Sequence, residues 1–213
     1  MIYDKKFLII TAHPDDLEMG CAGLVSKIKA HGGMVTNLIL VKPSAENNIK
    51  RSKHIVEREL DASASLLEMD VQIYDTPLHN NSRPNLVLNN NLISYAEEIA
   101  KDHDILISHW REDHHQDHRV CYDVARSIAR KNFKQFWCMD EPPYNLHYNN
   151  FQANLYVDIT KFVDKKIQAL RCYDSYFSDA QINTIIDYNK YRGSFIGPDM
   201  VAETFHLVYN KTL

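Results

Sequence analysis

Continuous apolar runs alternate with amphipathic segments along this chain of 213 residues. Residues 7–10 read Phe-Leu-Ile-Ile and residues 105–107 read Ile-Leu-Ile. Uninterrupted runs of this length are typical of strands that are buried on both faces of a sheet. Residues 53–68 instead carry apolar side chains three and four residues apart, which predicts a helix that packs one face on such a sheet.

The same pattern, followed along the whole chain, predicts strands and helices in alternation. The predicted strands are residues 6–11, 34–41, 71–74, 105–108, 135–138, 155–159 and 205–208. The predicted helices are residues 20–30, 53–68, 92–101, 116–130 and 161–173. Because alternation with buried strands is typical of parallel sheets, we expect an α/β fold with a mainly parallel, doubly wound sheet and helices on both faces. The length favours a single domain over residues 1–213.

Two clusters of acidic and imidazole side chains follow two of these strands. Residues 11–16 read Thr-Ala-His-Pro-Asp-Asp, and residues 113–118 read Asp-His-His-Gln-Asp-His. In a doubly wound sheet, ligands bind at the carboxyl ends of the strands, which is where both clusters fall. Charged groups crowded there repel one another or lose hydration unless a cation binds them. The sequence therefore predicts one metal site built from two loops.

The first cluster has the side chains of a catalytic metal site. His13 and Asp16 are donors suited to zinc or another first-row divalent ion, and Pro14 stiffens the turn between them. A site with two imidazoles and one carboxylate leaves a coordination position open for water, as catalytic zinc sites do. Asp15, next to a ligand, is then placed to take a proton from that water.

The second cluster offers the remaining donors, although spacing leaves the choice between them open. His118 lies about one helical turn after both His114 and His115, so either pair could share a helical face. A histidine that is not a ligand could stabilise an oxyanion or protonate a leaving amine. Asp117 or Asp113 could then hold that imidazole in orientation.

Composition and charge exclude several classes of protein. The net charge of -4 and the isoelectric point near 6.2 argue against a general nucleic-acid binder, which would present a basic face. No apolar stretch approaches the ~18–20 residues needed to cross a bilayer. The four cysteines have no CxxC spacing, so neither a disulfide framework nor a zinc ribbon is indicated. We expect a cytoplasmic protein with reduced thiols.

Both clusters together resemble a known family. The segment Ala-His-Pro-Asp-Asp at residues 12–16, with Gly-Cys-Ala-Gly at residues 20–23 and Asp-His-His-Gln-Asp-His at residues 113–118, is similar to the zinc-dependent deacetylases of the LmbE / PIG-L type. The resemblance implies a Rossmann-like fold and a metal-dependent amidohydrolase. It also implies a small-molecule substrate, namely an N-acetylglucosamine-like amino sugar or its conjugate, and leaves a homo-oligomer open.

The resemblance assigns a role to each residue that matches the two motifs. It implies one zinc ion per chain, held by His13, Asp16 and His118. It implies Asp15 as the general base and His115 as the histidine that stabilises the oxyanion or acts as an acid, with Asp117 as its orienting partner. Zinc is the expected ion, and iron or manganese could occupy the same ligands.

The residues that contact the substrate are less well defined. Members of the family often carry a substrate-contacting arginine where this chain has Val56, with Arg58 two residues later. Arg192 and Tyr144 are candidates for binding substrate hydroxyls or phosphate. Free sugars, nucleotide sugars, lipid-linked glycans and thiol glucosides are all compatible with the sequence.

Two other functions compete with deacetylation. The letters Asp-His-His at residues 113–115 also resemble the DHH phosphoesterases, but those enzymes separate two upstream acids that are adjacent here. A non-catalytic nucleotide- or metal-binding module would use the glycines at residues 20–23, but the full GxGxxG pattern is absent. The deacetylase interpretation is favoured because every position of the catalytic pattern is filled.

Overall fold

The computed structural model describes residues 2–43, 52–79, 83–131, 133–142 and 151–211. The strands are β1 (Lys6–Thr11), β2 (Met34–Ile39), β3 (Asp70–Ile73), β4 (Leu78–His79), β5 (Arg83–Pro84), β6 (Ile105–Ser108), β7 (Gln135–Met139), β8 (Leu155–Asp158) and β9 (Ala202–Asn210). Seven of them form one sheet in the order β3-β2-β1-β6-β7-β9-β8, and β4 pairs separately with β5. The order reverses at β1, where β6 pairs on the side opposite β2.

Helices cover both faces of this sheet. They are α1 (Asp16–Ala30), α2 (Lys53–Leu67), α3 (Asn90–Ala100), α4 (Gln116–Ala129), α5 (Val163–Arg171) and α6 (Asp179–Gly193). Alternate residues of β1 belong to two separate cores, with Phe7 packed in the cluster that includes α1, and Leu8 in the cluster that includes α3 and α4. Among the described residues, none of the helices is long and apolar enough to cross a membrane.

The sheet is mainly parallel, which confirms the predicted α/β class. Strands β3, β2, β1, β6 and β7 are parallel neighbours, whereas β9 runs antiparallel to both β7 and β8. Most predicted elements end within a few residues of the observed ones. The exception at the site is α1, which begins at Asp16 rather than at residue 20, so that the second aspartate lies in its first turn.

Sequence periodicity missed α6 entirely. Its apolar positions Ile182, Ile185 and Ile186 are buried at helical spacing, but the same face continues with the buried Asn189 and Gly193. An amide and a glycine on the buried face stop the apolar pattern after two turns. A local signal was nevertheless present, because Ser178 and Gln181 form a capping box at the start of the helix.

A buried ion pair fills a break in α1. Cys21 has non-helical backbone angles (φ -153°, ψ 19°), so the backbone beyond it lacks regular helical partners. Glu203 of β9 accepts hydrogen bonds from the backbone N–H groups of Gly23 (2.9 Å) and Leu24 (2.7 Å). A carboxylate therefore caps the second half of α1 from the sheet.

Lys166 of α5 completes this arrangement. Its Nζ donates to Glu203 Oε1 and to the backbone carbonyl of Met19, each at 2.7 Å, and the side chains of the pair are fully buried. The two charges compensate each other and join α1, α5 and β9 behind the strand ends. Removing either charge would leave the other without compensation in a dry environment.

We predict that Glu203→Gln lowers the free energy of unfolding by about 3–5 kcal/mol, since it leaves the Lys166 ammonium buried without its counter-ion. Urea titration of the metal-free protein measures the change. Asp187→Asn is the matched control, because it removes an exposed i,i+3 pair with Lys190 and should change stability much less. Equal effects of the two substitutions would contradict a structural role for the buried pair.

Candidate metal centre

The loop between β1 and α1 places Asp15 in an unusual backbone conformation. Its φ of 108° lies in the left-handed region that non-glycine residues rarely adopt, and its side chain makes no capping hydrogen bond to α1. Such conformations cost roughly 1–3 kcal/mol and cluster at functional sites. Helix capping therefore does not explain the position of this carboxylate.

Asp16 lies at the centre of the cluster and is almost completely buried. Its Oδ2 accepts hydrogen bonds from the backbone N–H groups of Ala12 (3.1 Å) and His13 (2.7 Å). The same oxygen lies 3.6 Å from His13 Nδ1, and Oδ1 lies 3.6 Å from His118 Nε2. One carboxylate thus lies between an imidazole of the loop after β1 and an imidazole of the first turn of α4.

These three side chains have the chemistry of a zinc site. Ligands bound at about 2.0–2.1 Å in a tetrahedron are roughly 3.3 Å apart. The two separations of 3.6 Å around Asp16 are close to that value. His115 is nearby as well, since one ring nitrogen each of His13, His115 and His118 lie within 4.8 Å of one another. The two distances involve different oxygens of Asp16, and Asp16 is not in either described group of donor atoms within 4.8 Å of one another, so His13, Asp16 and His118 as the ligand set stay a prediction.

A second group of potential ligands lies deeper in the protein. Donor atoms of His109, Asp113, His118 and Glu141 are within 4.8 Å of one another, and all four residues are buried. The ring of His109 stacks on that of His118 with 3.9 Å between centroids. No role was predicted for Glu141, although its place two residues after a buried strand, at the carboxyl edge of the sheet, was a usable signal.

Asp117 contacts the imidazoles of both His13 and His115. Its Oδ2 lies 3.2 Å from His13 Nε2, and its backbone N–H donates to Nδ1 of His115 over 3.2 Å. His115 is the N-cap residue of α4 and is held by that bond. The carboxylate of Asp117 thus faces the predicted ligand His13, and its predicted role as partner of His115 stays a prediction.

A cavity of about 340 Å³ opens onto the cluster. It is lined by His13, Pro14, Asp15, Asp16, Met19, Val41, Lys42, Pro43, Val56, His114, His115, His118 and Tyr176. The lining combines acidic and imidazole groups with apolar side chains. Val56 is one of the apolar lining residues, whereas the exposed Arg58 lies 3.9 Å from Asp174.

Arg192, one of the two predicted substrate-binding residues, is not among the described residues that line the cavity. Arg192 Nε donates to the Tyr188 hydroxyl (2.7 Å), and its NH2 group lies 3.1 Å from Asp140 Oδ2. This guanidinium is thus held by an ion pair next to β7. Tyr144 lies outside the described residues.

The carboxylates control the protonation of the histidines. Burial opposes the charged form of His13, but Asp117 and Asp16 outweigh it and raise the pKa to about 10. Burial and His109 oppose the charged form of His118, yet Glu141, Asp16 and Asp113 raise its pKa to about 9.

His115 behaves in the opposite way. Burial, together with the positive charges of His118 and His13, lowers its pKa below the usual value of 6.5. One imidazole of the cluster is thus neutral near pH 7, while its two neighbours are charged in the metal-free protein.

The family of the chain follows from a comparison with known proteins. The PIG-L model, described as GlcNAc-PI de-N-acetylase, matches residues 8–129, which is more than half of the chain and includes both clusters. The chain belongs to the PIG-L family. This membership confirms the resemblance seen in the two motifs, and with it the predicted class of enzyme, a hydrolytic N-deacetylase.

Solved structures share the fold at low sequence identity. A conserved protein from Thermus thermophilus is 20% identical with a TM-score of 0.79, and the alignment covers 97% of this chain and 95% of that one. GalB, the 4-carboxy-2-hydroxymuconate hydratase from Pseudomonas putida, is 16% identical with a TM-score of 0.80 and 98% coverage of each chain. N,N'-diacetylchitobiose deacetylase from Pyrococcus horikoshii is 18% identical with a TM-score of 0.74, covering 96% of this chain and 84% of that one.

We predict that Zn²⁺ binding at pH 7 releases about two protons, because His13 and His118 are protonated in the metal-free protein and must lose those protons to bind a metal. Raising the pH towards 9 should therefore strengthen binding. Isothermal titration in buffers of different ionisation enthalpy counts the protons. Zinc affinity that stays constant between pH 6 and pH 9 would contradict this description of the site.

Proposed function

We propose that this protein is a zinc-dependent hydrolase that removes the N-acetyl group from an N-acetylglucosamine-like amino sugar or sugar conjugate. The observation that carries the proposal is the buried Asp16 carboxylate between His13 and His118, beside a cavity that Asp15 also borders. Two imidazoles and one carboxylate form the ligand set of a catalytic rather than a structural zinc.

Zinc at this position would supply a Lewis acid that polarises the amide carbonyl and makes water acidic near neutral pH. Asp15 is then the general base, since its carboxylate borders the cavity and is not used in capping α1. Asp15 has a left-handed backbone conformation. The two consecutive aspartates then have different roles, because the carboxylate of Asp16 lies between the imidazoles of His13 and His118.

His115 supports the developing negative charge on the carbonyl oxygen. Its Nδ1 accepts the N–H of Asp117, so the proton of the neutral ring is on Nε2 and can be donated. A lowered pKa keeps this ring neutral, and a neutral N–H donor can stabilise the oxyanion while it keeps its own proton. Loss of one such donor typically costs about 2.7–4 kcal/mol of barrier stabilisation.

The reaction consumes one water and breaks one C–N bond. The water oxygen bonds to the acyl carbon, and one of its protons moves to Asp15. The amine nitrogen leaves with the electron pair of the broken bond and takes up both protons of the water, one of them from Asp15, so that acetate and a protonated amine are the products. No redox partner or phosphate donor is required.

The apolar residues in the lining of the cavity favour a substrate that is largely uncharged. These residues are Met19, Val41, Val56 and Tyr176. Lys42 is the basic residue in the described lining, and it pairs with Asp75. The family description and the diacetylchitobiose deacetylase with the same fold favour an N-acetylglucosamine unit next to the metal.

Four further expectations from the sequence also remain proposals. These are a single domain over residues 1–213, a cytoplasmic location, assembly into homo-oligomers and the absence of a nucleic-acid partner. Hydration is a rival reaction, because the hydratase GalB has this fold, and phosphoester hydrolysis is the rival that the Asp-His-His letters suggest. Each reaction gives a different product, which makes product analysis decisive.

The experiment that tests the function is a product assay on zinc-loaded protein. N-acetylglucosamine, its nucleotide-linked and lipid-linked derivatives and diacetylchitobiose are incubated with the enzyme, and free amine and acetate are measured together. Equal amounts of amine and acetate would support the proposal. Release of phosphate, or addition of water without acetate, would replace it with one of the two rival reactions.

We predict that Asp15→Asn retains zinc and lowers kcat by about 10²–10⁴-fold, because the amide cannot accept the proton. Asparagine is the appropriate replacement, since it tolerates the positive φ that Asp15 adopts. Asp199→Asn is the matched control, because Asp199 also has a positive φ (59°) but is exposed and outside the cavity lining. Full activity of Asp15→Asn would show that another group is the base.

A further inference from the structure

Glu141 brings one carboxylate against two stacked imidazoles. It lies two residues after the end of β7 and is 1% exposed. Its Oε1 lies 2.5 Å from His109 Nδ1, and its Oε2 lies 3.5 Å from His118 Nδ1. The two rings are nearly parallel, with an interplanar angle of 22°. The same edge of each ring therefore faces the same carboxylate.

The contacts of the two Nε2 atoms, on the ring edges away from Glu141, indicate where the ring protons are. His109 Nε2 accepts the backbone N–H of Ala12 at 2.9 Å, so the proton of the neutral ring is on Nδ1, facing Glu141. His118 Nε2 faces Asp16 Oδ1, so a metal bound there requires Nε2 to be free and leaves the proton on Nδ1. That Nδ1 faces Asp113 Oδ2 at 3.2 Å as well as Glu141.

The short contact also argues against one metal ion held by all four of these residues. Two ligands of one zinc ion are roughly 3.3 Å apart. His109 Nδ1 and Glu141 Oε1 are 2.5 Å apart, which is an ion-pair contact without hydrogen-bond geometry and is too short for two ligands of the same metal. The metal position is therefore on the other side of the His118 ring, where Nε2 faces Asp16.

We propose that Glu141 is a positioning residue whose buried carboxyl group holds the Nδ1 edges of the His118 and His109 rings in place. Through His118 it presents Nε2 to the metal. Through His109 it holds the N–H of Ala12, which also donates to the carboxylate of Asp16. This inference rests on the proposed function, because it requires His118 and Asp16 to be ligands. Carboxylates that orient ligand histidines typically change metal affinity 10- to 100-fold.

Three substitutions separate this role from simple space filling. Glu141→Gln matches the shape but accepts a hydrogen bond through one atom and presents an N–H₂ group to the second imidazole. Glu141→Asp is shorter but keeps two acceptor oxygens. Glu18→Gln is the matched control, since Glu18 is equally buried at 1% exposure and its Oε1 accepts from the Ser63 hydroxyl at 2.5 Å, not from an imidazole.

The measurement is the dissociation constant of Zn²⁺, from competition with a chromophoric chelator, alongside the melting temperature of the metal-free protein. We expect Glu141→Gln to weaken zinc binding about 10- to 100-fold, Glu141→Asp to weaken it less, and Glu18→Gln to change it by less than about 2-fold. If Glu141→Gln does not fold, His109→Asn interrupts the same contacts from the other end and should weaken binding similarly.

His118→Ala distinguishes failure of this inference from failure of the proposed function. Zinc binding that is lost in His118→Ala but unchanged in Glu141→Gln would overturn the role of Glu141 and leave the metal site intact. Affinity that follows side-chain shape, with Gln close to the original and Asp worse, would also overturn it. Zinc affinity unchanged in His118→Ala would refute the ligand assignment on which both proposals rest.

Discussion

Burial of the Asp16 carboxylate is the constraint on which the rest of the site depends. A charge removed from water must be compensated, and here two backbone N–H groups and the imidazoles of His13, His109 and His118 surround it. The start of α1 and the left-handed turn at Asp15 hold this carboxylate at the end of β1. The deacetylation that we propose needs a cation at the same point, so one arrangement would serve both folding and chemistry.

Much of the fold could be predicted because the central strands are buried on both faces and therefore read as continuous apolar runs. Strand β1 was predicted with its observed ends. The direction of β9 could not be predicted, since antiparallel pairing with β7 and β8 depends on chain connections rather than on local pattern. The helix α6 was missed for a related reason, because Asn189 and Gly193 on its buried face interrupt the apolar spacing.

The site shows the same division between local and long-range information. Histidines and acids that are adjacent in sequence, such as those at residues 13–16, could be recognised from spacing and family resemblance. His109 and Glu141 come from different strand ends, and their contact depends on β6 and β7 being neighbours in the sheet. The place of the Asp117 carboxylate beside His13 likewise depends on how the start of α4 approaches the loop after β1, which no local pattern encodes.

The most direct test of this account is the position of zinc in a crystal of the zinc-loaded protein, determined from anomalous scattering at the zinc edge. The account predicts one strong peak per chain within about 2.0–2.2 Å of His13 Nδ1, a carboxylate oxygen of Asp16 and His118 Nε2. A peak enclosed by His109, Asp113 and Glu141, or none between His13 and His118, would contradict it.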